Sequence, residues 1–224
     1  MNTHLIELLK RSLTGLVLIV SFGGAYLHSS LLFIAALLVL LCITLCWEWP
    51  RLVNLHKNSR MALTIMYPIV PFATLMWLTH EFYSTDFYLP IFPFLTAWAA
   101  DTGGYIVGKL IGFHKMCPTI SPGKSWEGFT GSIISVFGMC WHVLPKIELF
   151  KPTILVTNLI ALFFFALLIT TIAFLGGFFL SVLKRKEGLK DAGSLLPGHG
   201  GILDRFDGVL FVGLTTALLT VIFR

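Results

Sequence analysis

The sequence predicts an all-α protein, a polytopic membrane bundle of about seven transmembrane helices with a cytoplasmic N-terminus. Of its 224 residues, 56% are hydrophobic and 12% are charged, whereas soluble globular domains carry about 25% charged residues. The mean hydropathy of +0.87 also excludes intrinsic disorder, because disordered chains combine low hydrophobicity with high net charge. The apolar residues fall into long runs, and a spanning helix needs about 17–25 of them.

Seven apolar runs fit membrane spans, in this order: Ser12–Leu27, Leu31–Trp47, Met61–Leu78, Phe87–Val107, Gly128–Leu144, Thr153–Leu183 and Gly208–Phe223. We expect the first run to be a retained helix and not a cleaved signal peptide, because further spans follow it. The sixth run would measure about 46 Å as one helix. It must therefore tilt, project beyond the bilayer or break, and Gly176-Gly177 is its weakest point.

Basic residues fall mostly in alternate loops. The loops on one side carry Lys10, Arg11, Arg51, Lys57, Arg60, Lys109, Lys115, Lys124, Lys184, Arg185, Lys186, Lys190 and Arg205, and those on the other carry only Lys146 and Lys151. Cytoplasmic loops retain Lys and Arg, so the N-terminus is expected inside and the C-terminus outside. Retention in cytoplasmic loops then explains the surplus of 16 basic over 11 acidic residues, so no nucleic acid is expected as a partner, and the expected partners of a membrane protein include membrane lipids.

The chain shows no repeat, low-complexity stretch or long linker. We therefore expect a single integral membrane domain over residues 1–224. Residues 1–97 supply N-terminal spans, and residues 98–224 supply the spans and the cytoplasmic loops with the motifs of interest.

Two polar stretches on the expected cytoplasmic side are candidate sites. They cover residues 109–127 and 184–207, and the second holds nine of the 27 charged side chains. Lys and Arg bind phosphate oxygens, carboxylates hold Mg²⁺, and glycine-rich backbone can approach an anion closely. This mixture points to a membrane enzyme that handles phosphate groups on a lipid-borne substrate with a divalent metal.

Three carboxylates within or beside spans have alternative interpretations. Asp204 and Asp207 are three residues apart, so they share one face of a helix that begins there. They either bind a metal or simply complement the helix dipole. Asp101 lies inside a span, where an ionisable residue is a functional candidate, although pairing with a cation such as Lys109 would also explain it.

Two glycine-containing motifs do not extend to nucleotide-binding fingerprints. Gly123-Lys124-Ser125 resembles the end of a phosphate-binding P-loop, but Pro118 stands where that motif needs glycine, and no preceding strand is expected. Leu203 stands where a dinucleotide fingerprint beginning at Gly198 would need its third glycine. His199, among glycines and charges, is either a catalytic residue or an ordinary loop residue.

The second polar stretch is closely similar to the signature of the phosphatidate cytidylyltransferase family, the CDP-diacylglycerol synthases. The matching residues are Ser181, Lys184-Arg185, Lys190-Asp191, Pro197 to Gly201, and Asp204-Arg205-Phe206-Asp207. The segments around Asp101 and over 121–128 also look like family motifs, in the same order. The resemblance is strong over about residues 98–212.

The resemblance implies a nucleotidyltransferase in phospholipid biosynthesis that converts CTP and phosphatidate to CDP-diacylglycerol and pyrophosphate with Mg²⁺. A second cation and a homodimer stay open. The family motifs place phosphate binding and catalysis on Asp204, Lys184, Arg185, Lys190, Asp191 and Arg205. They place substrate binding on Ser121, Lys124, Ser125, His199, Gly200, Gly201 and Asp101, and metal binding on Asp204 and Asp207. The implied location is a bacterial inner membrane, with the active site facing the cytoplasm.

One departure from the family pattern leaves alternatives open. The family has carboxylates directly before Ser181 and in a preceding Gly-Asp pair, where this chain has Leu180 and Gly177. A neighbouring carboxylate such as Asp101 or Asp191 replaces the missing ligand, or this chain is an impaired homologue that acts as a membrane scaffold or lipid binder. A transporter with Asp101 as its ion site and a CTP-dependent lipid-alcohol kinase are further alternatives.

Overall fold

A computed structural model describes residues 17, 20–53, 58–195 and 200–223, with the backbone alone at 58–60. Within these ranges five helices are long and apolar enough to cross a membrane: Ser30–Leu52, Met61–Phe82, Trp126–Lys146, Leu159–Lys186 and Leu203–Phe223. The predicted all-α polytopic membrane fold is confirmed, and the chain is a multi-pass membrane protein. The first part of the first predicted span, Ser12–Leu27, lies largely outside the described residues, which include only residues 17 and 20–27 of it, so the count of seven stays a prediction.

The N-terminal helices follow the apolar runs closely. Helix α1 covers residues 20–28, and Ser29 caps the next helix by accepting a hydrogen bond from the backbone N–H of Leu32. Helix α2 consists of Ser30–Ile43, a π-helical turn at Thr44–Glu48, and Trp49–Leu52. Helix α3 consists of Asn58–Thr64, a π-helical turn at Ile65–Ile69, and Val70–Phe82. It bends at Tyr67, because Pro68 has no N–H to donate and crowds the preceding turn.

The central part of the chain contains one helix and a small sheet. Helix α4 spans Phe92–Ile111, so it begins five residues later than the fourth predicted run and ends four residues later. It is not among the five apolar spans, since Asp101, Lys109 and several Gly and Thr residues lower its hydropathy. Strands β1 (Lys115–Cys117) and β2 (Ser121–Ser125) then form an antiparallel pair. The expectation that no strand precedes Gly123-Lys124-Ser125 was wrong, because this polar stretch pairs with itself.

The C-terminal half contains the longest helix. Helix α5 spans Trp126–Val143 with a 3₁₀ turn at Leu144–Lys146, α6 spans Ile154–Thr157, α7 spans Leu159–Lys186 and α8 spans Leu203–Phe223. The sixth predicted run breaks at Asn158, whose side-chain oxygen accepts hydrogen bonds from the N–H groups of Ile160 and Ala161. Helix α7 continues without interruption through Gly176-Gly177, so a break at that point was wrong.

The chain divides into two compact units, each built from two separate stretches: Met1–His80 with Leu183–Phe206 (unit 1), and Glu81–Val182 with Asp207–Arg224 (unit 2). The expected single domain stays a prediction. In unit 1, aromatic packing joins helices that are distant in sequence. Phe206 stacks on Phe72 and meets the edge of Phe22, and the Trp49 indole donates a 2.7 Å hydrogen bond to Thr64.

The core of unit 2 is a buried apolar cluster that includes Phe92, Val136, Phe150, Phe165 and Val212. Helices α4 and α5 also meet along a seam of small residues, which we call the glycine seam: Ala100, Gly103, Gly104, Gly131 and Ser132. A Cβ on Gly103 would lie 2.5 Å from the carbonyl oxygen of Gly131, and the Ser132 hydroxyl donates a 2.7 Å hydrogen bond to the carbonyl of Ala100. The two backbones therefore touch directly, as small residues allow in membrane helix pairs.

Unit 2 also buries one carboxyl group outside the apolar spans. Asp86 is 5% exposed and its Oδ1 accepts a hydrogen bond from the N–H of Leu89. Burial raises the pKa of Asp86, and hydrogen bonds from the backbone at Leu149 and Leu89 oppose that rise only in part. The charged form of this group is therefore disfavoured in the folded chain.

Candidate functional site

Asp204 is the centre of a buried polar cluster in unit 1. Its Oδ1 accepts a 2.6 Å hydrogen bond from the Lys184 ammonium, and its Oδ2 accepts hydrogen bonds from the N–H groups of Ala192 and Gly201, at 2.8 and 2.9 Å. The side chains of Lys184 and Asp204 are only 13% and 6% exposed. We call Lys184, Asp191, Gly200, Gly201 and Asp204 the Asp204 cluster.

The Asp204 cluster requires glycine at position 200, because two carboxylate side chains lie very close to its backbone. Gly200 has a φ of +80°, a backbone conformation that glycine adopts without a steric penalty. A Cβ there would lie 2.9 Å from Oδ2 of Asp204 and 3.4 Å from the Cβ of Asp191. The turn therefore brings two carboxylate-bearing residues against one glycine, and the sequence prediction that groups these residues matches the geometry.

Sequence reasoning missed Glu48, which belongs to the same region of unit 1. Its side chain is fully buried, and its two oxygens accept hydrogen bonds from the N–H groups of Ile202 and Leu203, at 2.6 and 2.9 Å. The predicted second span stopped at Trp47, one residue short. The rule that singled out Asp101, an ionisable residue within an apolar helix, would have found Glu48 had the span been extended.

Several charged residues of the signature lie at the surface of unit 1, and they include Asp191 at the edge of the Asp204 cluster. Lys190, Asp191 and Arg205 are exposed, and Arg185 is exposed with its guanidinium donating a 3.0 Å hydrogen bond to the carbonyl of Leu189. Long basic side chains at the end of an apolar helix can reach anions in the surrounding water or at the lipid surface. His199 lies outside the described residues, together with Pro197 and Gly198.

Unit 2 holds a second charged group, formed by Lys124 and Asp207. The Lys124 ammonium lies 4.2 Å from the centroid of the Phe174 ring and 3.5 Å from the carbonyl oxygen of Phe174. A Cβ on Gly177 would lie 2.9 Å from this ammonium nitrogen and 3.2 Å from Oδ2 of Asp207. The Lys124 ammonium and the Asp207 carboxylate thus occupy the region that a side chain at position 177 would need.

The strand pair positions Lys124 and Ser125. Ser125 ends β2 and caps α5, since its hydroxyl accepts a hydrogen bond from the N–H of Gly128. Its oxygen is packed so closely that a Cβ on Gly112 would lie 2.6 Å from it. His114 lies just before β1, and its Nδ1 is 2.5 Å from Oε1 of Glu127 in the first turn of α5. The buried Ser125 therefore acts here as a helix cap, and Ser121 is half-buried in β2.

Asp101 lies on α4 and is exposed. The Lys109 ammonium, the cation suggested as its partner, lies 3.4 Å from the hydroxyl of Tyr105.

Comparison with known proteins gives a family match over most of the chain. The model of the cytidylyltransferase family matches residues 59–223. The chain belongs to this family. It is 33% identical over 205 residues to a phosphatidate cytidylyltransferase of Rickettsia bellii, an alignment covering 91% of this chain and 87% of that protein. It is also 33% identical over 204 residues to one from Haemophilus influenzae, covering 83% and 69%.

A staphylococcal member of the cytidylyltransferase family is more similar over a shorter stretch. The phosphatidate cytidylyltransferase of Staphylococcus haemolyticus is 43% identical over 122 residues, which cover 54% of this chain and 45% of that protein. The chain spans about half the length of the staphylococcal relatives that it matches. The match to the family model includes both the Asp204 cluster and the Lys124 group.

The described carboxylates of this family member provide few free oxygen ligands for a metal ion. The residues that the structure describes contain no group of three or more His, Cys, Asp or Glu side chains suited to a metal. Both oxygens of Asp204 are engaged, Oδ2 by two N–H groups and Oδ1 by the Lys184 ammonium, so a metal at Asp204 would have to share Oδ1 with this cation. Oδ1 of Asp207 accepts a hydrogen bond from the N–H of Gly208. Mg²⁺ is commonly held by only one or two carboxylates plus substrate phosphates, so each of these two carboxylates is by itself a candidate ligand.

Proposed function

We propose that this chain is a phosphatidate cytidylyltransferase, which makes CDP-diacylglycerol and pyrophosphate from phosphatidate and CTP. The observation that carries the proposal is the Asp204 cluster, in which a buried carboxylate is held by Lys184 and two backbone N–H groups. These residues belong to the family signature, and the relatives that the chain matches are named for this reaction. The proposed location is the cytoplasmic face of a bacterial inner membrane.

The proposed reaction transfers a cytidylyl group. An oxygen of the lipid phosphate attacks the α-phosphorus of CTP, the bond from that phosphorus to the β-phosphate oxygen breaks, and pyrophosphate leaves with the electron pair. Positioning and charge neutralisation supply most of the catalysis in phosphoryl-type transfers. Because Asp204 already holds the Lys184 ammonium in place, this cation does not need to be ordered when the substrate arrives.

The remaining proposed roles follow the positions of the side chains. The exposed Arg185, Lys190 and Arg205 are the proposed ligands of phosphate oxygens, and Lys124 is a further candidate cation. Substrate binding is assigned to residues 199–201 and to Ser121, and Ser125 supports its neighbour Lys124 by capping α5. Asp204 and Asp207 are each candidate ligands for Mg²⁺, which would neutralise charge on the triphosphate.

The test is an assay of pyrophosphate and CDP-diacylglycerol with the purified full chain, CTP, phosphatidate and Mg²⁺. We expect wild type to form both products in equal amounts and Asp204→Asn to form neither. The matched control is Glu187→Gln, because Glu187 is an exposed carboxylate of the same polar stretch to which we assign no role. It should retain wild-type turnover.

The alternatives give different results in the same experiment. A folded wild-type chain that forms no product contradicts the proposal. Turnover in Gly177→Asp alone would then identify an impaired homologue, since this variant adds a carboxylate beside Lys124 and Asp207. Solute flux across liposomes without nucleotide would instead identify a transporter.

A further inference from the structure

Glu48 connects helix α2 to the polar loop that precedes α8. Its carboxylate accepts hydrogen bonds from the N–H groups of Ile202 and Leu203, which lie more than 150 residues further along the chain. Such N–H groups at the start of a helix have no partner within that helix. A carboxylate from a distant helix therefore completes the N-terminus of α8.

Two glycines make room for this carboxylate. A Cβ on Gly193 would lie 2.9 Å from Oε1 of Glu48, and a Cβ on Gly201 would lie 2.8 Å from the same atom. Both distances are shorter than real Cβ contacts. Glu48 therefore lies between the two ends of the loop, and any side chain at either glycine would displace it.

Glu48 and Asp204 accept hydrogen bonds from successive backbone N–H groups at residues 201–203. The N–H of Gly201 goes to Asp204, and the N–H groups of the next two residues go to Glu48. Asp204 also takes the N–H of Ala192, the neighbour of Gly193. The position of Asp204, and with it that of the Lys184 ammonium, thus depends on a loop to which Glu48 is also hydrogen-bonded.

We propose that Glu48 is a positioning residue for the transfer reaction, which holds the 200–204 segment so that Asp204 and Lys184 are in place before substrate binds. The expected effect of Glu48 on the reaction rate rests on the proposed function. Glu48 is fully buried and its oxygens are engaged with backbone, so it acts through the loop and not on the substrate. Partners that orient a ligand or catalytic group typically contribute about 10–100-fold to affinity or activity.

The test compares Glu48→Gln with Thr44→Val. Glutamine keeps the size of the side chain but has only one acceptor oxygen, so one loop N–H loses its partner. Thr44 is the matched control, because it is fully buried one turn earlier in α2 and its hydroxyl has no hydrogen-bond partner within the described residues. We expect Glu48→Gln to lower kcat by about 10–100-fold and to raise the Mg²⁺ concentration for half-maximal rate, with little change in the KM for phosphatidate. Thr44→Val should leave all three unchanged.

Amide hydrogen exchange tests the positioning without any enzyme activity. The amides of residues 201–204 should exchange at least about tenfold faster in Glu48→Gln, while those in the middle of α2 and α8 keep their protection. Unchanged exchange at 201–204 overturns the inference. Wild-type kcat per folded molecule overturns it as well, because Glu48 would then be a merely structural residue. An inactive wild type with the expected exchange pattern would contradict the proposed function and retain the positioning of the loop.

Discussion

The two adjacent glycines of α7 should differ in how much stability the chain loses when each is replaced by alanine. A Cβ on Gly176 would lie 2.3 Å from the backbone carbonyl oxygen of Asp207 and 2.9 Å from its carbonyl carbon. Backbone atoms cannot move aside locally, so α8 itself must shift. A Cβ on Gly177 would meet the Lys124 ammonium at 2.9 Å, which is the end of a flexible side chain.

The magnitudes follow from these neighbours. Overpacking costs about 1–3 kcal/mol and occasionally more, whereas replacing a helical glycine by alanine gains about 0.5–1 kcal/mol. Gly176→Ala should therefore lose about 1–2 kcal/mol or more of the free energy of unfolding. Gly177→Ala should stay within about 1 kcal/mol of wild type, because moving Lys124 offsets the helix gain only in part.

Thermal unfolding of the purified chain in detergent, followed by near-ultraviolet circular dichroism, measures this difference. One kcal/mol corresponds to about 2–4 °C in Tm for a chain of this size. Gly138→Ala in α5 is the control, since its Cβ would have no neighbour within 4 Å, and its Tm should not fall. Equal Tm values for the two α7 variants, or a lower value for Gly177→Ala, would refute the packing argument.

Three further predictions concern single side chains. Lys184→Met should lower the free energy of unfolding by about 3 kcal/mol, which is the lower end of the range for breaking a buried ion pair, because two N–H groups still bind Asp204. Chemical denaturation measures this free energy, and a loss below about 1 kcal/mol would contradict the prediction. The wild-type chain should lose stability as pH rises from the ordinary aspartate pKa of about 3.9 through the raised pKa of Asp86 in the folded chain. Asp86→Asn should not show this loss, so the difference in Tm between the two proteins should change over this pH range. A constant difference would show that this burial does not matter. Ser125→Ala should cost about 1 kcal/mol through loss of the α5 cap, and an unchanged Tm would show that Gly128 finds another acceptor.

The sequence predicted the helices well because apolar runs of spanning length leave few alternatives in a membrane. The helical run after Gly128 and the last run after Gly208 reappear as α5 and α8 with only small changes at their ends. The strand pair was missed because it is short and polar. Its cross-strand pairing of Lys115 with Ser125 depends on the turn between the strands and not on an apolar pattern.

The sequence identified candidate residues of the site but not their contacts. Asp204 and Lys184 were identified from charge composition and family motifs, and they do form a buried pair. Their positioning by Glu48 could not be read from spacing, because that carboxylate is far away in sequence and its partners are backbone N–H groups, which every residue carries. Of the three alternatives for the sixth run, a break occurs, but it lies at Asn158 and not at Gly176-Gly177, because two glycines lower helix propensity without preventing helix formation.

The glycine seam between α4 and α5 has a consequence for how these helices tolerate change. Side chains can usually adopt new rotamers when a neighbour is altered, but a contact between bare backbones has no such adjustment. Even one methyl group at Gly103 or Gly131 would force the helices apart and break the hydrogen bond from Ser132 to Ala100. Exposed positions such as Ile106 and Ile134 should accept other apolar residues. Random mutagenesis should therefore find that the faces of α4 and α5 that meet at the glycine seam tolerate few substitutions, whereas their exposed faces tolerate many.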